Sequence, residues 1–129
     1  MPSPSGEAAA SCRSLHDRLP DEVAGKHRVT LEEDSPYTAA WGDPAVVLRC
    51  GVPRPDVLTP GSEHYNPAEP AVEVDGVSWL VAQQDDGYRL TTTGRTAYVE
   101  VWVPKDVGQP TAPLADLAKP VKSAVPSRL

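Results

Sequence analysis

Phenylalanine is absent from this chain of 129 residues, methionine occurs once, and aromatic residues make up only 5%. Isoleucine is absent as well. A core made without these residues must rest on Val, Leu and Ala, with the three Trp supplying bulk. No apolar run approaches the ~20 residues of a membrane-spanning helix. The opening Met1-Pro2-Ser3-Pro4-Ser5-Gly6-Glu7 has neither the basic start nor the apolar segment of a signal peptide. Basic charge is scarce: 12 Lys and Arg stand against 18 Asp and Glu, for a net charge of −6. Such a balance repels phosphate and argues against nucleic acid or an anionic membrane surface as partner.

Catalytic and metal signatures are missing too. There is no Gly-x-Ser-x-Gly and no Ser-x-x-Lys. The three histidines, His16, His27 and His64, lack metal-ligand spacing, so exposed polar side chains explain them better than a zinc site. Asp85-Asp86-Gly87 looks like part of a calcium loop but lacks the further oxygen donors such a shell needs, so it reads as a turn. No metal and no cofactor is expected.

Only two cysteines are present, Cys12 and Cys50, without Cys-x-x-Cys spacing. The expectation is a disulfide between them; the alternative is two separate buried thiols. A linkage closing a loop of that length contributes roughly 4 kcal/mol in the chain-entropy treatment.

The chain that remains is rich in turn formers, with 15 Pro and 9 Gly. Residues 1–10 read as a flexible leader, because Pro, Ser, Gly and Ala bury too little surface to offset ordering entropy. Residues 11–125 read as one domain and 126–129 as a frayed tail. Ser11 is a candidate cap for a helix from about Cys12 to Leu19, with Leu15 and Leu19 on one face and Pro20 ending it. Val29-Thr30-Leu31 is a short strand candidate. Ala45-Val46-Val47-Leu48-Arg49-Cys50 is too continuously apolar for a half-wet strand and reads as buried on both faces. Residues 53–70 form a long proline-punctuated connection, and such connections are usually functional or disordered.

Four strands are expected beyond it: Ala71–Val74, Val77–Gln83, Tyr88–Thr93 and Thr96–Val103. Asp75-Gly76 is a two-residue hairpin turn that pairs Val74 with Val77 and Val72 with Trp79. A turn at Gly94-Arg95 pairs Leu90 with Val99 and Tyr88 with Val101, and sets Arg89 opposite Glu100. Tyr88, Leu90, Val99, Val101 and Val103 then form the core face, and Tyr98 and Trp102 share the outward face with Arg89 and Glu100. Thr111 starts a second helix carrying Leu114, Leu117 and Val121, which Pro120 kinks or ends. The fold class is therefore α+β: an antiparallel sheet of about five strands, with an N-terminal helix tied on by the disulfide and a C-terminal helix packed on it.

Cys12-Arg13-Ser14-Leu15 with Leu19-Pro20, the block Trp41-Gly42-Asp43-Pro44-Ala45-Val46-Val47-Leu48-Arg49-Cys50-Gly51, and the strands around Trp79 and Tyr98 resemble a family of secreted actinobacterial proteins, the domain of unknown function 3515 family. The likeness spans roughly residues 12–125. It implies an extracytoplasmic domain, secreted or held as a lipoprotein through an N-terminal segment. Residues 1–11 are then expected to be a trimmed linker. A disulfide suits that compartment. The family implies no reaction.

Candidate binding residues are Arg49, His64, Tyr98 and Trp102. Arg49 stands out because a guanidinium in a buried run needs a carboxylate, for which Asp43 or Glu100 are at hand. Tyr37, Trp41, Tyr98 and Trp102 together suggest an aromatic surface, although Trp on a strand more often packs a core. The first functional expectation is a non-enzymatic envelope module that binds a partner protein or a cell-wall component. The alternative is an enzyme acting on wall peptide or glycan around Arg49, Glu63 and His64. A weaker third reading is an inhibitor that presents residues 53–70 to a protease.

Overall fold

The computed structural model describes residues 4–29, 37–42, 45–55, 59–63, 65, 71–105 and 111–127. Among them the chain forms two helices and one eight-stranded antiparallel sheet. The helices are α1 (Gly6–Arg18) and α2 (Ala112–Ala124). The strands are β1 (Glu22–Val23), β2 (Lys26–Val29), β3 (Thr38–Trp41), β4 (Val46–Cys50), β5 (Ala71–Val74), β6 (Val77–Gln83), β7 (Gly87–Thr92) and β8 (Val99–Pro104). Their order is β1-β2-β3-β4-β8-β7-β6-β5. Each half of the chain is thus a meander, and the two meanders join through their last strands. The α+β class agrees with expectation, but the sheet has eight strands rather than about five.

The additional strands come from the first half. β3 carries Ala39-Ala40, and alanine is depleted in strands, so local preference hides an element that tertiary burial imposes. All four of its residues are buried. β1 and β2 form a tight hairpin whose turn, Ala24-Gly25, has φ of 52° and 78°. Alanine is a poor choice for that conformation. Its N–H donates to the Asp116 carboxylate of α2 at 2.8 Å, an external support for the turn.

In the second half, Asp75 and Gly76 have φ of 50° and 90°, as a two-residue hairpin turn requires. Val74 pairs with Val77 and Val72 with Trp79, as expected. The β7–β8 register differs: Leu90 pairs with Val101, and Arg89 lies opposite Trp102. The connection is two residues longer than a Gly94-Arg95 hairpin, because Arg95 bridges to Ser127 instead of turning the chain. A slip of two residues keeps every side chain on its own face, so the assignment of Leu90, Val99, Val101 and Val103 to the core holds.

α1 starts well before Ser11. Gly6–Ala10, expected as leader, are its first turns, where Ala8-Ala9-Ala10 are strong helix formers and Glu7 complements the dipole. Leu19 is extended, with φ −68° and ψ 139°, as the residue before a proline prefers. α2 runs through Pro120 rather than ending there, since Leu114, Leu117, Val121 and Ala124 are buried on both sides of it. The tail is ordered further than expected: Thr96 N–H donates to Pro126 O at 3.0 Å, and Arg95 Nη1 to Val125 O at 2.8 Å.

Both helices bury their apolar sides in one cluster with Val46, Leu48, Cys50, Trp79, Leu90, Val99, Val101 and Val103. Cys12 and Cys50 are joined, with Cα atoms 5.5 Å apart, and fasten α1 to β4. β4 is not buried on both faces: Val47 is half-buried and Arg49 is exposed. The helices cover one side of the sheet, while Arg49, Arg89 and Trp102 reach solvent on the other.

Gly87 opens β7 and pairs with Pro104 of β8. A Cβ there would collide with the Val103 carbonyl oxygen and lie 3.0 Å from Pro104 Cα. Both are backbone atoms of a central strand and cannot yield cheaply. Gly87→Ala is expected to cost about 1–3 kcal/mol, read as a lower denaturation midpoint with unchanged slope. An unaltered midpoint would mean that the strands separate more easily than this packing implies.

Candidate functional site

The solvent-facing side of the sheet centre is built by three strands. β8 sits between β4 and β7. Its outward residues Glu100 and Trp102 face Arg49 and Val47 on β4, and Thr91 and Arg89 on β7. Period-two alternation dictates this: the residues in between, Leu48, Val101 and Leu90, point into the core.

Val47, Arg49, Arg89, Glu100 and Trp102 line an open groove of about 260 Å³. The Glu100 carboxylate is its pivot. Arg89 Nε lies 2.7 Å from Glu100 Oε1, and Arg49 Nη1 lies 3.6 Å from Glu100 Oε2. The carboxylate side chain is only 12% exposed, whereas those of Arg49 and Arg89 are 49% and 53% exposed. Exposed ion pairs of this kind contribute about 0–1 kcal/mol, so the cluster does little for stability. Its consequence is chemical: two guanidiniums around one carboxylate leave a local charge of +1 beside a half-buried indole, on a chain whose net charge is −6.

Of the sequence candidates, the structure brings Arg49 and Trp102 together. Arg49 is not the buried guanidinium expected; it reaches solvent and pairs with Glu100. Tyr98 is half-buried immediately before β8, and its carbonyl accepts from the N–H groups of Gly51 (2.9 Å) and Val52 (3.3 Å). It is not among the described residues lining the groove. His64 lies outside the described residues, as do 56–58 and 66–70 of the proline-rich connection. The wider aromatic surface does not form. Trp41 is fully buried and donates its indole N–H to Pro20 O at 3.0 Å. Tyr37 packs against the core, and its hydroxyl accepts from Arg13 at 3.3 Å.

Arg89, Glu100 and Val47 were not singled out as site residues from sequence. The first two were expected to stand directly opposite one another; in the observed register Arg89 pairs with Trp102 and reaches Glu100 from the diagonal position. What no local pattern carried was the adjacency of β4 to β8, which brings Arg49 and Val47 to them. Among the described residues, no cluster of three or more His, Cys, Asp or Glu side chains is placed to hold a metal ion. No helix among them is long and apolar enough to cross a membrane.

A family model described as "Protein of unknown function (DUF3515)" matches residues 1–129. The chain belongs to the DUF3515 family. No curated protein and no solved structure matches it. The match covers the whole chain and therefore both meanders.

Proposed function

We propose that this DUF3515 protein is a non-enzymatic binding module of the cell envelope, which contacts a protein partner or a cell-wall component through the open face of its sheet. The observation that carries the proposal is the groove at the β4–β8–β7 junction, where Arg49, Arg89 and Trp102 stay accessible around Glu100. Convergent guanidiniums beside an indole are a recognition surface, since arginine and tryptophan are the residues that dominate binding energy at interfaces. Binding is favoured over catalysis by the state of the carboxylate. Glu100 is held between two cations, and the described residues of the groove include no second acid or base to pair with it in general acid–base work. An extracytoplasmic address, as a secreted or lipoprotein-type actinobacterial domain, is supported by the Cys12–Cys50 bridge, because such bonds persist in oxidising compartments.

Co-sedimentation of the isolated domain with purified cell-wall sacculi, alongside capture from envelope extract, tests the reading. The parent is expected to be retained, and an Arg49→Ala/Trp102→Ala double variant, which gives up only about 1 kcal/mol of stability and stays folded, is expected to lose most of that retention. Equal retention of parent and variant would move the contact surface away from the groove.

A further inference from the structure

Resting on that reading, we infer that the groove recognises the free carboxylate end of a peptide whose last residue is apolar. Three features of the site select this chemistry.

The first is donor surplus. A guanidinium carries five N–H donors, and a carboxylate takes two guanidinium edges at most. Glu100 engages Arg89 through Nε at 2.7 Å, and its 3.6 Å approach to Arg49 Nη1 is beyond hydrogen-bond length. Both arginines are about half exposed, so donors remain free to bind a second carboxylate. The second is charge. The local excess is one positive unit, which a monoanion neutralises. A phosphate dianion would leave the site one unit negative on a chain already at −6.

The third is layout. The Arg49–Glu100 pair and the Val47–Trp102 pair are adjacent rungs on one face of the same two strands. They lie roughly 7 Å apart along the strand. The two guanidiniums and the indole line the same groove, so a carboxylate held by arginine has an apolar contact beside it for the side chain of the terminal residue. Both edges of β4, β8 and β7 are already paired, so a ligand cannot add as a strand and must be read by side chains.

The probe is N-acetyl-alanyl-leucine with a free carboxylate, titrated into the ¹⁵N-labelled full chain. The signals followed are the Nε–H of Arg49 and Arg89 and the indole N–H of Trp102. The C-terminal amide of the same dipeptide and inorganic phosphate are the comparison ligands. The acid is expected to move these signals saturably and to bind at least about tenfold more tightly than the amide, the difference a charge-assisted pair supplies. Arg49→Ala is expected to weaken the acid by about tenfold. Glu100→Gln removes the internal competitor while keeping its shape, and is expected to tighten acid binding about threefold or more.

Equal binding of acid and amide overturns the inference, as does tighter binding of phosphate, no shift up to the end of the titration, or a Glu100→Gln variant that binds no more tightly. Each of these outcomes leaves retention on sacculi to be judged separately, so loss of the carboxylate assignment and loss of the binding surface are distinguishable.

Discussion

Removal of the Cys12–Cys50 bridge is expected to lower the unfolding free energy by about 4 kcal/mol. The cysteines are 38 positions apart, and closing a loop of that length removes roughly 13 cal/mol/K from the unfolded ensemble. Against a typical total of about 5–15 kcal/mol, this is a large fraction. The native state loses something as well, because the bond fastens α1 to β4, a strand at the centre of the sheet. Both cysteines are buried, at 0% and 1% exposure. Reductant therefore reaches them only after opening, and the reduced protein is best prepared in denaturant and refolded. Urea denaturation of the parent, the reduced parent and Cys50→Ser measures the effect. The two modified forms should agree with each other and fall well below the parent. Coincident midpoints for all three would remove the bridge as a source of stability. Trapping thiols with an alkylating agent in a denaturing lysis buffer, where both cysteines are reachable, addresses the compartment: unmodified cysteines fit the proposed envelope location, and full alkylation counts against it.

The bridge was legible because two cysteines admit one pairing. The hairpin at Asp75-Gly76 was legible because both positions take positive φ, a conformation with a strong residue signature. The β7–β8 register was not, since the residue that lengthens the connection acts at a distance. Arg95 donates to the carbonyls of Val125 and Gly76, tying the loop to the chain's end. The core face nevertheless survived, because alternation is insensitive to a two-residue slip. The strand at Thr38–Trp41 was missed for a related reason: its alanines have no strand preference, and burial between β2 and β4 decides their conformation. For the groove, each member's face could be read locally, as with Arg89, Glu100 and Trp102. Their convergence with Arg49 and Val47 depends on which strand lies beside β8. That is settled by how the two meanders meet, and no stretch of a few residues encodes it.

Trp41→Ala and Trp102→Ala should differ sharply, although both tryptophans stand on strands within one sheet. Trp41 is fully buried in the cluster formed with α1, α2 and the inner sheet face. Truncation there costs about 3–5 kcal/mol through lost burial and an unfilled cavity. It also removes the donor to the carbonyl of Pro20, two residues beyond the end of α1, and so loosens the turn that leads into β1. Trp102 is half-buried on the open face, and its loss should cost about 1 kcal/mol, within the usual range for single substitutions. Urea midpoints measure both. The same two proteins carried through the sacculus and dipeptide assays should rank in the opposite order, with Trp102→Ala defective in binding and Trp41→Ala, where still folded, close to the parent. That inversion separates an indole that holds the sheet to its helices from one left accessible beside Arg49 and Arg89. Equal stability losses would mean that the outward face is packed, and a packed face has no groove to fill.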